Sequence, residues 1–238
     1  MYKRQTWDAG EYRVVKNYHT YKHPGKRRKR EKPSSLSVEH YNRKLREEKV
    51  QLLILSNFEE RDLWVTLTYI KGGDRPKSTK EAKQILQRFL RKLKAWYRRE
   101  GSDLKWIGIT EKGKKGSYHH HLLLNRLPGL HEKIDELWVW GHPQVVRLYE
   151  DQAFKKLAEY IVKSESKDDG EFLKYSRSRN LTVPEAKEEV ITSSTFLEDP
   201  REKKGWILLP ETLEAGINPV TGYKYQRYVM KRVRHKLE

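Results

Sequence analysis

From Leu63 to Tyr69 apolar and polar residues alternate, with Val65, Leu67 and Tyr69 on one face and Trp64, Thr66 and Thr68 on the other, which predicts a half-buried β-strand. Gly72-Gly73-Asp74 breaks that pattern. Over 79–100, Ala82, Ile85, Leu86, Phe89, Leu93 and Trp96 recur at steps of three and four among lysines and arginines, predicting a long amphipathic helix that stops at Gly101. Leu104–Glu111 and Tyr118–Asn125 read as two strands of a hairpin around a basic loop, Lys112–Gly116. Pro128 opens a short helix through Leu137, and Gln144–Tyr149 is a further strand. Residues 151–164 form another helix, with Phe154, Leu157, Ala158 and Ile161 as its buried stripe. The order β-α-β-β-α-β over 63–149 predicts an α+β fold with a ferredoxin- or RRM-like core. In such a core, helices cover one face of a central antiparallel sheet and the other face is open to a ligand.

The flanks are less regular. Residues 1–36 are polar, aromatic and basic, culminating in Gly25–Pro33, and read as a loosely packed arm. A helix over 37–57 follows, with Ser37 as N-cap and Val38, Tyr41, Leu45, Leu52 and Leu55 near helical spacing. The expected division is an arm at 1–36, a core at 37–165 and a basic C-terminal extension at 166–238. That extension ends in a strand or hairpin around Trp206–Met230, turning at Asn218–Gly222.

Charge narrows the partner. The 238 residues carry 51 Lys plus Arg against 33 Asp plus Glu, a net charge of +18, with Tyr and Trp far outnumbering Phe. Cations release phosphate counterions and aromatic faces hold unpaired bases, so the expected partner is nucleic acid. The absence of cysteine excludes disulfides, thiolate zinc sites and thiol nucleophiles, leaving any metal to His, Asp or Glu. No apolar run reaches the ~18 residues of a membrane span, so the expectation is a cytoplasmic protein without a membrane partner.

Three of the nine histidines stand together in Ser117-Tyr-His-His-His-Leu-Leu-Leu-Asn125. On a strand His119 and His121 share a face and His120 takes the other. Closing the hairpin around Lys112–Tyr118 puts Glu111 across from His119 and Ile109 across from His121. Two imidazoles and one carboxylate leave coordination positions open, which suits a catalytic ion. Mn²⁺ or Mg²⁺ fits a phosphate substrate, and zinc is chemically possible. On the helix 151–164, Tyr160 lies off the buried stripe beside Lys156 and Lys163, with Lys167 next in the row. Cations favour the phenolate and attract phosphate, so the row has the chemistry for attack on phosphorus; a surface tyrosine packed on lysine stems is the plain alternative.

These residues resemble the HUH endonucleases, the single-strand nickases that initiate rolling-circle replication, in particular the replication-associated proteins of plasmids and single-stranded DNA phages. Trp64–Tyr69 resembles the family's first strand motif, Tyr118–Leu124 its metal motif and Ala158–Lys163 its Tyr-x-x-Lys motif, although its middle metal-motif position is usually bulky and hydrophobic and here is His120. The resemblance implies Mn²⁺ or Mg²⁺ on His119 and His121 with Glu111 as third ligand, Tyr160 as nucleophile and Lys163 as its helper. A second tyrosine one turn away, at 156 or 164, is absent, which implies a one-tyrosine enzyme.

The expected reaction is nicking and joining of single-stranded or hairpin origin DNA through a 5′-phosphotyrosyl intermediate. The free 3′-OH would then pass to host helicase and polymerase. DNA is expected against Thr66, Thr68, Lys112, Lys114, Lys115, Lys156, Arg177 and Arg179. A relaxase or transposase of the same superfamily would share this chemistry, and a non-catalytic RRM-like binder of RNA or single-stranded DNA is the rival from another class.

Overall fold

The computed structural model describes residues 1–20, 36–72, 75–113, 116–149, 151–163, 166–168 and 171–233. The basic run Gly25–Pro33 and Lys114 and Lys115 lie outside the described residues. In chain order the elements are β1 (Tyr2–Ala9), β2 (Tyr12–His19), α1 (Leu36–Asn57), β3 (Leu63–Leu67), α2 (Thr79–Arg99), β4 (Trp106–Lys112), β5 (Tyr118–Leu124) and α3 (Leu130–Leu137). They continue with β6 (Pro143–Arg147), α4 (Lys155–Lys163), β7 (Ser166–Asp168), β8 (Glu171–Leu173), β9 (Ser176–Arg177), β10 (Lys187–Ile191), β11 (Trp206–Ile217) and β12 (Lys224–Arg232). The chain divides into two units. The first comprises Met1–Ser56, Asp151–Lys156 and Thr182–Glu238, and the second Asn57–Glu150 and Leu157–Leu181.

The second unit holds the expected α+β core. Its antiparallel sheet runs β6-β3-β5-β4-β9, so the β-α-β-β-α-β order folds into the ferredoxin-like strand arrangement with one short strand added at the edge. Helix α2 starts where Ser78 accepts from the Glu81 backbone N–H at 3.2 Å, while the Glu81 carboxylate accepts from Lys77 N–H at 2.7 Å. Two otherwise orphaned donors are thereby satisfied. Arg98 and Arg99 oppose the dipole in the last turn. The buried stripe of α2, including Ala82, Leu86, Phe89 and Leu93, joins Leu63, Val65 and Leu67 of β3, Leu122 and Leu124 of β5, and Leu130, Ile134 and Trp138 in one apolar core. Helices α2 and α3 thus share this face of the sheet.

The loop after α3 is pressed onto the end of β3. Trp138 Nε1 donates to Thr68 O at 2.9 Å, and Ile70 N–H donates to Trp140 O at 3.0 Å. A Cβ at Gly141 would fall 1.8 Å from Thr68 O, so only glycine fits there.

In the first unit the structure departs from the sequence expectation. Residues 2–19, expected to be a loosely packed arm, are the hairpin β1–β2, and the chain turns at Gly10 with φ +63°. They form one antiparallel sheet with the C-terminal strands in the order β10-β1-β2-β12-β11. The expected C-terminal hairpin is β11–β12, closed by Thr221 and Gly222 N–H donating to Asn218 O. The arm's strands escape a hydrophobicity reading because much of what they bury is polar. Arg4 Nε donates to Asn17 Oδ1 at 3.0 Å, and Asn17 Nδ2 donates to Gln226 Oε1 at 2.9 Å, with Asn17 and Gln226 both buried. Such groups enter a core only when paired.

Helix α4 begins at Lys155, later than expected, because Gln152, Ala153 and Phe154 adopt φ of +49°, +52° and +58°. Phe154 is buried as expected, but in this left-handed turn and not on the helix. Lys167, expected to continue the helical row, lies in β7.

Glu214 on β11 is held between Lys44 of α1 at 2.6 Å and Lys155 at 2.7 Å. Burial pushes its carboxyl up, but the hydrogen bonds and charges of the two lysines outweigh that and bring it down to about 2. A carboxyl depressed in the fold contributes stability above its unfolded pKa near ~4.3 and loses that contribution as pH falls toward 2. In urea titrations across pH 2–7, Glu214→Gln should lower stability by about 1–2 kcal/mol at pH 7, after allowance for solvent screening, and lose less on acidification than the unmodified chain. Parallel pH profiles for the two proteins would refute this role.

Candidate active site

Alternation along β5 sends His119 and His121 to the sheet face opposite the α2–α3 core and His120 into that core. The pairing is the expected one, with Glu111 opposite His119, Ile109 opposite His121 and Thr66 opposite His121 on the third strand. His120 is fully buried and bonded at both ring nitrogens, Nε2 to Tyr69 Oη at 2.7 Å and Nδ1 to Thr110 Oγ1 at 3.0 Å. Burial, reinforced by His121 and His119, holds its pKa down to about 3.

On the open face the Glu111 carboxylate reaches diagonally past His119, and its Oε2 lies 3.1 Å from His121 Nε2. Diagonal cross-strand neighbours are within reach of a side chain of this length. Tyr160 of α4 completes the cluster. Its hydroxyl donates to Glu111 Oε2 at 3.2 Å and lies 3.1 Å from His121 Nε2, while the residue stays 37% exposed. The other ring nitrogen of His121 is 3.0 Å from Thr66 Oγ1.

Trp64 lies parallel to His121, with ring centroids 5.7 Å apart and planes 10° apart, and meets Tyr160 edge-on at 5.8 Å. Sequence reasoning does not single out Trp64 as a functional residue. A signal is nonetheless present, since Trp64 shares a strand face with Thr66 and its strand partner is Leu123, two residues from His121.

His119 stands on the same face but does not close with the other two. Its Nδ1 is buried and has no hydrogen-bond partner, and its Nε2 would lie 2.8 Å from a Cβ at Gly113. Burial and the nearby His121 lower its pKa against the pull of Glu111. Among the described residues no three His, Cys, Asp or Glu side chains meet in ion-holding geometry. The donor types nonetheless fit a divalent ion. An imidazole and a carboxylate converge, a second imidazole beside them has a buried nitrogen to offer, and Thr66 can accept from His121 Nδ1–H, the tautomer that aims the Nε2 lone pair at Glu111.

The other expected residues are spread around this cluster. Lys163 is exposed in the last turn of α4, three residues beyond Tyr160. Lys156, one turn before Tyr160, is ion-paired to Asp151 at 2.6 Å. Lys112 is exposed, with its Nζ 5.6 Å from the Tyr118 ring centroid. Thr66 faces His121, and the Thr68 hydroxyl donates to His142 O at 2.8 Å. Arg177 and Arg179 are exposed on the segment that forms β9. Arg177 pairs with Ile107 and so shares the face of Ile109 and Glu111, and Ser178 Oγ accepts from Trp106 N–H at 3.1 Å.

Residues 62–169 match the family model of the replication-associated proteins of the ORF2 type. The matched segment contains Trp64, Thr66, Glu111, His119, His121 and Tyr160, and leaves out every strand of the first unit's sheet. No curated protein and no solved structure matches the chain. Among the described residues no helix is long and apolar enough to cross a membrane.

Thr66→Val should weaken Mn²⁺ binding by about tenfold or more, the usual loss when a ligand histidine is deprived of its outer partner, with the melting temperature little changed. Electron paramagnetic resonance of free Mn²⁺ measures it. Undiminished Mn²⁺ affinity would show that Thr66 does not orient His121 for an ion.

Proposed function

We propose that this protein nicks and rejoins single-stranded DNA by tyrosine transesterification and so initiates rolling-circle replication. The observation that carries this reading is the Tyr160 hydroxyl, partly exposed and within 3.2 Å of both Glu111 and His121 on an open sheet face. The match to a replication-associated family and the net charge of +18 support DNA as the substrate.

The phenol oxygen attacks a backbone phosphorus. A tyrosyl O–P bond forms as the P–O3′ bond breaks, leaving a 5′-phosphotyrosyl enzyme and a free 3′-OH. Glu111 Oε2 already accepts the phenol's hydrogen bond, so it is placed to take that proton, and the departing 3′ oxygen gains one. Trp64 packs against the rings of both His121 and Tyr160 and limits their rotation. His119, His121 and Glu111 would hold Mn²⁺ or Mg²⁺, which when bound polarises the scissile phosphate. One phosphodiester is exchanged for another, so the reverse reaction joins ends without an added energy source. Arg177, Arg179, Lys112 and Lys163, all exposed, supply charge for the strand's phosphates. The 3′-OH left by the nick serves host polymerase, with a helicase to open the duplex.

Incubated with labelled single-stranded origin DNA and Mn²⁺ and run on a denaturing gel, the protein should carry label, and Tyr160→Phe should carry none. His121→Ala should abolish ion-dependent nicking while leaving salt-sensitive DNA binding in place. Label retained on Tyr160→Phe, with adduct mapped to another residue, would overturn the assignment.

A further inference from the structure

Outside the matched segment, the first unit contains a cavity of about 170 Å³ between the first turns of α1 and the sheet, bounded by the β11–β12 turn. Its walls include Tyr18 at the end of β2, Tyr41 and Lys44 on α1, and Tyr223 and Tyr225 leading into β12. We propose that this cavity holds one unpaired base of single-stranded DNA, a second foothold for the strand that the proposed Tyr160 site cuts, and in that sense it rests on the nickase reading.

Four tyrosines and two histidines give the lining flat faces, and three lysines stand against one carboxylate, Glu48, which is itself paired to Lys16 at 2.6 Å. Aromatic faces interleaved with cations are what a base and its flanking phosphates require. The walls are also held in place. Tyr18 Oη donates to Glu188 at 3.0 Å, and burial with that carboxylate pushes its pKa up to about 12, so the phenol is neutral. Lys44 donates to Tyr225 Oη at 3.1 Å and sits 4.7 Å from its ring centroid. Tyr223 stacks on His19 at 3.7 Å with planes 9° apart. A base that enters meets ordered rings and loses little entropy ordering them.

Size and charge choose the occupant. The volume lies well below the ~300–1,000 Å³ of pockets that enclose drug-sized ligands, so one flat ring system fits and a base pair does not. The chain that joins the two walls, from β2 to α1, carries six cations between Lys26 and Lys32. A polyanion is the partner such a run favours, which selects a strand of nucleic acid over a neutral aromatic molecule or an apolar peptide.

The test uses full-length Tyr160→Phe protein without divalent ion, so that binding is read apart from cleavage. Fluorescence anisotropy should show Tyr41→Ala and Tyr223→Ala each weakening single-stranded DNA by about tenfold, the loss of one base stack, with Tyr41→Phe binding as the parent. An oligonucleotide of abasic sites should bind all four proteins alike, and duplex affinity should not change. A loss that persists on abasic DNA, or equal loss on duplex, would overturn the base-binding role. Photo-crosslinking of the unmodified chain to 5-iododeoxyuridine DNA removes any question of misfolding. Adducts on peptides holding Tyr41, Tyr223 or Tyr225 support the cavity, while adducts confined to 62–169, or more abundant with 5-iodouridine RNA, count against it. Failure here leaves the Tyr160 adduct assay intact, and failure of that assay leaves this binding result intact.

Discussion

Strand β5 has one tenable register, and the candidate site depends on it. A slip by one residue would carry every side chain of Tyr118–Leu124 to the opposite face, taking His120 from its bonds with Tyr69 and Thr110 and burying His119 and His121. Two buried hydroxyls would then lose their partner, and two imidazoles would enter an apolar core without one. Penalties of about 1–3 kcal/mol for each unsatisfied buried group are large against the net stability of a domain. His120 therefore acts as a register pin, a polar key that fits only when its two neighbours face outward.

With the register fixed, most of the site follows from adjacency. Thr66 stands opposite His121 on β3 and Glu111 opposite His119 on β4, so three strands deliver their groups to one patch without any loop excursion. The supply of Tyr160 by a helix adds what a strand could not, a hydroxyl directed onto the sheet from above its face. Sites built on regular elements hold position better than sites on loops, and here Trp64 adds packing on the rings of both His121 and Tyr160. The reach of Glu111 to His121, past its directly paired His119, shows that side-chain length matters as much as register in deciding which donors meet.

That distinction also marks how far the sequence can be read. The alternation of Leu63–Tyr69, the stripe from Ala82 to Trp96 and the hairpin around Lys112–Tyr118 are strong periodic signals, and the sheet of the second unit follows from them. The partners of His120 and the stacking of Trp64 depend on side-chain directions that periodicity does not encode. Residues 2–19 evade the pattern for a different reason. Their buried face carries Asn17, and its strand partner supplies Gln226, so the segment looks solvent-exposed although its polar atoms are satisfied by one another. The start of α4 is illegible because three successive non-glycine residues with positive φ are rare, and nothing in Gln152-Ala153-Phe154 announces them.

The same left-handed turn shows why buried polar residues persist in the first unit. Each such residue costs roughly 1–2 kcal/mol in backbone strain, so three in a row need an external support. Gln51 supplies it: its Nε2 donates to Ala153 O at 2.8 Å and to Gln152 O at 3.4 Å, and its Oε1 accepts from Arg227 at 2.7 Å. Arg227 is itself buried, and burial lowers its pKa while Glu48 and Glu214 oppose the shift. The amide of Gln51 thus joins the strained turn to a guanidinium that needs a partner, and each satisfies a demand the other creates. An apolar residue at 51 would strand both at once, so the polarity that hides this unit from a hydrophobicity reading is also what sets where α4 begins.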